Sequence, residues 1–549
     1  MTRVIDQGDC SIRCLFARTR RSRPGPAATL LLCATLLGGC STLPPGTDFP
    51  RRVSVALPDA SQTRLGAQFS QAAQDHGGQS AFRIIPVGVD GFLTRVQMIN
   101  AAERTLDLQY FIYHGDETGR LITDALARAA DRGVRVRVLV DDGATVAGDE
   151  QILALDGRPG VEVRVFNPFR YRGHLVVARA LEFLLNLSRL DYRMHNKLLV
   201  ADNTVALIGG RNIGNQYFQM DPESQFADDD VFVAGPVAAR LSTTFDDYWN
   251  SALAIPAAAL KHGVPSARHA PRKSQRAQLA TLNSGSIDYV ALIQTGEPYA
   301  GMISGRLPLV WANAQVICDS PDKKDVVDGT LPGRLMARAV ATTTGAVQSE
   351  LLMITPYFIP ADAELKLVDD LGQRHVRVRV LTNSLESNPD PPAHSGYAHY
   401  RIPLIQHGIE LYEVRSLLGS TRGSGQTREI ARFGTYGLHA KLYVFDRRQL
   451  FIGSMNYDQR SSRLNTEIGL IIDSPELALQ TVARFDAMAR PENSYDLSVR
   501  TAPGGGRPYL VWSTVEGGQA VEYRREPARS LWQRLKVQVL SWLPLDREL

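Results

Sequence analysis

The period of apolar and polar positions changes several times along the chain, and the changes outline its elements. Leu106 to Tyr113 reads as a strand, and Leu121, Ile122, Ala125, Leu126 and Ala129 recur at helical spacing as far as Gly133. Val134 to Val140 is strand-like again, so the stretch predicts a β-α-β unit. The unit returns in the second half: Leu351 to Phe358 as strand, Leu365, Val368 and Leu371 on a helix ended by Gly372, then Val376 to Leu381 as strand. Tyr110-Phe111-Ile112 matches Tyr357-Phe358-Ile359, Arg135-Val136-Arg137-Val138 matches Arg377-Val378-Arg379-Val380, and Gly160-Val161-Glu162 matches Gly408-Ile409-Glu410. The chain is an internal duplication beginning at about residue 80.

Each half also carries an alternating apolar run interrupted by charge. The first is Met194-His195-Asn196-Lys197-Leu198-Leu199-Val200-Ala201-Asp202; the second is Leu438-His439-Ala440-Lys441-Leu442-Tyr443-Val444-Phe445-Asp446. On a strand, residues two apart share a face, so each copy can present a histidine and a lysine to one phosphate. The repetition extends further, with Gly209-Gly210 or Gly453-Ser454 behind the motif and Asn212 or Asn456 seventeen residues after the histidine. Chance repetition of five aligned polar features is improbable.

At these residues the chain resembles the phospholipase D superfamily, whose hallmark is His-x-Lys-x-x-x-x-Asp used twice in one active site. Within it the chain is most similar to the bacterial cardiolipin synthases of the C type. The marks are Arg193-Met194-His195-Asn196-Lys197, Gly209-Gly210-Arg211-Asn212-Ile213-Gly214, Leu381-Thr382-Asn383-Ser384 and Asn465-Thr466-Glu467. The resemblance implies an α/β fold of two similar domains, each a mixed sheet flanked by helices, related by a pseudo-two-fold axis with both motifs at the seam. It implies catalytic His195, Lys197, Asp202, His439, Lys441 and Asp446. The lysines, with Asn212 and Asn456, would hold the non-bridging oxygens. One histidine would form a phosphohistidine and the other would act as acid and base, because imidazole titrates near neutrality. His195 is taken as nucleophile and His439 as acid/base, an order that near-symmetric repeats leave open.

A histidine in such a site needs a carboxylate to fix its tautomer. Following chain order, Glu467 is assigned to the half of His439, and Asp228 to the half of His195 with Asp230 as its competitor. Asp202 and Asp446 belong to the motif, but five residues past the lysine a structural turn-capping role is the simpler one. His394 lies in a segment resembling the synthases' His-x-Gly-Tyr and is an acceptor-site candidate; His76 and His262 read as surface residues. The sequence carries no zinc, calcium or P-loop signature, so neither metal nor cofactor is expected.

Composition adds a location. A basic region up to Arg23, an apolar run from Ala27 to Leu37 and Leu37-Gly38-Gly39-Cys40 resemble a bacterial signal with a lipobox, in which Cys40 would be diacylated. Ser41 after it resembles the signal for the outer membrane, so the expectation is a periplasm-facing lipoprotein of a Gram-negative envelope; an ordinary secretory signal or an anchor helix is the rival. Setting aside six arginines and two acids before Cys40 leaves 55 bases and 55 acids of the chain's 61 and 57. That balance gives no support to a nucleic-acid partner. Cys318 alone remains in the body, so no internal disulfide is expected there.

The domains follow as 1–40 signal, 41–80 tether, 81–260 first domain, 261–340 connecting segment, 341–500 second domain and 501–549 a C-terminal segment with an amphipathic helix. Ser384 to Gly396 and Gly419 to Gly437 read as a mobile rim over the site or as plain surface loops. Leu175 to Leu190 reads as a core helix whose position also suits an acyl-chain wall. Leu531, Trp532, Leu535, Val539, Trp542 and Leu543 form one helical face, suited to a membrane surface or to packing on the body. The expected activity is a membrane-anchored phosphatidyltransferase acting on phosphatidylglycerol, with phosphatidylethanolamine as a further substrate, in a monomer containing both half-sites. A hydrolytic phospholipase D and a nuclease of the same superfamily are the alternatives.

Overall fold

The computed structural model describes residues 44–542 apart from 144–151, 153, 172–174, 222, 261–297, 305, 361, 417–434 and 502–503. Cys40 and the leader, the polar stretch 261–286, His262, most of the Gly419 to Gly437 loop and Leu543 therefore lie outside the described residues. The first half supplies β1 (Ser80–Ile85), β2 (Thr105–Tyr110), β3 (Arg135–Asp141), β4 (Val161–Phe166), β5 (Lys197–Ala201), β6 (Val205–Gly209), β7 (Ser224–Ala227), β8 (Asp230–Ala234) and β9 (Ala254–Pro256). The rest of the chain adds β10 (Val310–Cys318), β11 (Glu350–Ile354), β12 (Arg377–Asn383), β13 (Glu410–Val414), β14 (Thr435–Leu438), β15 (Leu442–Phe445), β16 (Gln449–Gly453), β17 (Ile468–Asp473), β18 (Ser494–Thr501), β19 (Pro508–Glu516) and β20 (Gln519–Tyr523).

Both duplicated units form, although their first strands stop at Tyr110 and Ile354 instead of Tyr113 and Phe358, and the second helix, Asp362–Gln373, runs past Gly372. In the first, the helix Glu117–Asp131 carries β2 to its parallel neighbour β3; Asp116 caps its start by accepting from Gly119, and Gly133, at φ +91°, ends it. The two halves repeat one mixed order, β4-β3-β2-β5-β6-β8 and β13-β12-β11-β15-β16-β17. The motif strands are buried on both faces: Leu198 and Val200 meet Leu442 and Val444 in a core shared by the halves, while Leu199 and Ala201 pack into the first half's own core.

The stretch read as a connecting segment holds a structural strand. β10 pairs with β1 through Ser80↔Ala312 and Phe82↔Val310, then with β17 from Asn313↔Asp473 to Cys318↔Ile468. Among the described residues this makes one sheet of 18 strands. The tether expectation for 41–80 is likewise corrected: Arg64–Asp75 is a helix burying Leu65, Phe69 and Ala73, and Ser54 and Ala56 donate to Asn250 and Asp246. At the other end the second half's part of this sheet runs past residue 500, since β18 continues to Thr501 and pairs with the β19–β20 hairpin. Among the described residues no helix is long and apolar enough to cross a membrane.

Candidate active site

Both motif histidines sit just before their strands, at places where the two halves are stitched together. β7 and β14 pair in parallel with Leu438 opposite Ala227, and the His439 N–H donates to the Ala227 carbonyl at 2.7 Å. The same arrangement recurs across the pseudo-axis, where Met194 bridges Thr466 and the His195 N–H donates to the Thr466 carbonyl at 2.9 Å. The residue after each accepting carbonyl is a carboxylate. The His195 Nδ1–H therefore reaches Glu467 at 2.9 Å, and the His439 Nδ1–H reaches Asp228 at 2.6 Å.

This corrects the pairing expected from chain order: each carboxylate serves the histidine of the opposite half. The physical reason is the cross-axis strand pairing, which ties 227 to 438 and 194 to 466 before any side chain is placed. A carboxylate at Nδ1 leaves the Nε2 lone pair of each ring for chemistry. Asp230, the competitor of Asp228, is held by Arg95 at 2.8 Å and Arg211 at 3.0 Å in a buried ion cluster.

The lysines flank the rings. Lys197 Nζ donates to the His195 carbonyl at 2.6 Å and lies 5.5 Å from the Phe111 ring centre; Lys441 Nζ lies 3.1 Å from His439 Nδ1. Burial, then the neighbouring charges of Lys197 and Lys441, hold the His195 ring well below its ordinary pKa. Burial and Lys441 bring His439 down to about 3. The lysines are lowered too, chiefly by burial, Lys441 to about 8.

The carboxylates diverge. Burial works against the charge of Asp228, but His439, Lys441 and Arg211 outweigh it and hold the group at about 2. Burial wins at Glu467, lifting it to about 7 against Lys197 and the hydroxyl of Ser454.

Asp202 and Asp446 are not in the site, although both belong to the motif. Each stands at positive φ beyond its strand, about 16 Å from the lysine at strand spacing. The Asp202 carboxylate accepts from the backbone N–H groups of Glu103, Arg104 and Thr105, and Asp446 accepts from those of Gln348, Ser349 and Glu350. They fasten the strand entering β2 or β11. The asparagines also part ways: Asn212 is taken up by Ile112 N–H and the Tyr217 hydroxyl, whereas the buried Asn456 Oδ1 has no hydrogen-bond partner among the described residues. His394 is buried against Glu526 at 2.7 Å, and His76 stacks on Trp311 at the surface.

Several further contributors were not assigned to the site from the sequence. Phe111 meets the His195 ring edge-on at 4.9 Å, and Tyr217 and Phe226 lie 5.2 and 5.3 Å from His439. Asp319, at the end of β10, accepts the Glu467 N–H at 2.9 Å and is itself paired with buried Lys323. Gly210 leaves room for Asp228, since a Cβ there would lie 2.1 Å from Oδ1. The repeat of Phe111 as Phe358 was legible, but Phe358 stacks on Tyr457 instead of a histidine.

Residues 96–249 and 343–489 match the family described as "Cardiolipin synthase, PLD-like domain". Cardiolipin synthase C of Escherichia coli (strain K12) is 34% identical over 504 residues, spanning 90% of this chain and 99% of that protein. The major cardiolipin synthase of Bacillus subtilis (strain 168) is 25% identical over 405 residues, 73% of this chain and 67% of that one. A crystal structure of phosphatidylserine synthase from Haemophilus influenzae Rd KW20 aligns at 14% identity and a TM-score of 0.47, over 78% of this chain and 91% of that one. With two complete motifs joined across the axis and both segments matched, the chain belongs to the cardiolipin synthase, phospholipase D-like family and is an enzyme of the phospholipase D-type phosphatidyltransferase class.

Proposed function

We propose that the enzyme passes a phosphatidyl group from phosphatidylglycerol to the hydroxyl of a second phosphatidylglycerol, making cardiolipin through a phosphohistidine. The observation that carries this is the pair of buried histidines, each with Nδ1 on a carboxylate and a lysine beside it. Both rings are kept neutral by burial and by the ammonium groups; a phosphodiester anion between the lysines offsets their charge and lets one ring protonate. The Nε2 lone pair of His195 attacks phosphorus, the P–O bond to the glycerol headgroup breaks, and protonated His439 gives its proton to the departing oxygen. Neutral His439 then takes a proton from the acceptor hydroxyl, whose oxygen attacks phosphorus and releases His195. Water in place of the acceptor would give hydrolysis.

The difference between the carboxylates supports this order. Asp228, ionised throughout the working range, favours a ring that must become imidazolium, whereas Glu467 near 7 suits a ring that starts neutral. Anchoring through diacylated Cys40 would hold the chain at the periplasmic face of the envelope, and phosphatidylethanolamine would be a further substrate. The test is acid-quenched trapping with radiolabelled phosphatidylglycerol on His195→Ala and His439→Ala. Label on His439→Ala alone supports the assignment, and label on His195→Ala alone reverses it. Lipid analysis of a host lacking its own cardiolipin synthases, with this gene supplied, decides between transfer and hydrolysis.

A further inference from the structure

Two surface helices face the opposite way from ordinary amphipathic helices in water. Val176–Leu185 buries none of its residues, so the core-helix expectation fails. Its apolar side points outward, with Val176 and Val177 80% exposed, Leu181 56% and Leu184 69%. Its charged side points inward: Glu182 accepts from the backbone N–H groups of Arg170 and Tyr171, and the Arg179 guanidinium covers the Phe169 ring at 4.0 Å. Leu531–Leu540 repeats the inversion. Leu531 is 78% exposed and Trp532 79%, with Trp542 just beyond the helix at 75%, while Gln533 and Arg534 donate inward to Leu385 and Glu526 and Val537 is buried. The helix does pack on the body, but through Gln533, Arg534 and Val537 and not through the face of Leu531 and Trp532.

Contacts from both helices lead to one side chain, Arg460. Val176–Leu185 runs into Leu187–Leu190, whose cap Asp191 is bonded to Arg460 at 2.6 Å. Leu531–Leu540 packs against the helix Pro391–Ala398, capped by Asp390, so the Ser384 to Gly396 stretch is helix-bearing and not an open loop. Asp390 is within electrostatic reach of Arg460 and Lys536, and Arg460 also bears on His195. Arg170, Arg524, Arg525, Arg529 and Lys536, all within a few residues of these helices in sequence or on them, are exposed, and the one acid among 524–542, Glu526, is paired with Arg401 at 2.6 Å.

Building on the phospholipid reading above, we propose that these two helices dock the chain onto an anionic phospholipid bilayer and seat the mouth of the His195–His439 site on the headgroup layer. Outward leucines and tryptophans enter the acyl boundary, and the flanking cations meet lipid phosphates. A docked mouth would admit a headgroup to the histidines while its acyl chains stay in the bilayer.

The experiment uses the full chain with vesicles of phosphatidylglycerol and phosphatidylcholine carrying brominated acyl chains. Bromine should quench the parent's tryptophan emission, and W532F/W542F, which keeps Trp249, Trp311 and Trp512, should lose that quenching. L181E/L184E should lower turnover on vesicles about tenfold or more while leaving turnover of monomeric dihexanoyl-phosphatidylglycerol unchanged. Equal quenching in parent and W532F/W542F, or full vesicle turnover by L181E/L184E, would overturn the docking. A dimer lost in L181E/L184E with quenching unaltered would assign the face to a second copy and also overturn it. Failure of the parent to turn over the short-chain lipid counts against the catalytic reading alone, since quenching does not depend on turnover.

Discussion

Replacing Glu467 by Gln should impair the chemistry of His195, not that of His439. The Glu467 carboxylate accepts from His195 Nδ1 at 2.9 Å and is fully buried. An amide there can turn its NH2 toward the ring, favouring the tautomer with the proton on Nε2 and removing the lone pair that attacks phosphorus. A hydrogen bond to a charged group contributes about 1.5–3 kcal/mol, so formation of the intermediate should slow by about 10- to 150-fold. Asp228→Asn, acting through His439, should instead slow breakdown. The assay is rapid acid quench with a phosphatidyl ester of p-nitrophenol, a leaving group that departs without a proton donor. Glu467→Gln should then accumulate little label, while Asp228→Asn should form label at nearly the parent rate and hold it. The opposite outcome, label held by Glu467→Gln and absent from Asp228→Asn, would refute the cross-axis pairing and restore the pairing by chain order.

Other expectations follow from the same geometry. Asp202→Asn turns a donor toward one of three backbone N–H groups, so it should destabilise the chain by about 2–4 kcal/mol in denaturant titration while leaving kcat of the folded fraction unchanged. Gly210→Ala should displace Asp228 and slow intermediate breakdown with little loss of the Glu467-dependent step. His439, at about 3 in the folded chain against about 6.5 unfolded, binds fewer protons folded than unfolded between those values. Its contribution to stability is therefore present above about 6.5 and lost as pH falls toward 3, and the melting temperature of His439→Gln should decline less over that window. Labelled palmitate should be incorporated by the parent and not by Cys40→Ala; equal label in both would exclude the lipoprotein anchor.

The sequence by itself determined the parts that depend on local period. The alternation through Leu198–Val200 and Leu442–Val444, the helical spacing from Leu121 to Ala129 and the stop at Gly133 all became the elements they predict, because such patterns are set by neighbours within a few residues. Repetition of the His-x-Lys motif likewise made the two-fold arrangement legible. Chain order could not show which carboxylate serves which histidine, because the partners are 272 and 211 residues apart. Their pairing is decided by strands that meet across the axis. Nor did it show that residues 310–318 complete the sheet between the halves, since a strand pattern does not name its neighbour. The helices at 176–185 and 531–540 make the same point for faces. An amphipathic period specifies two sides, but which one turns inward depended on the partners for Glu182, Arg179, Gln533 and Arg534 that only the tertiary structure brought within reach.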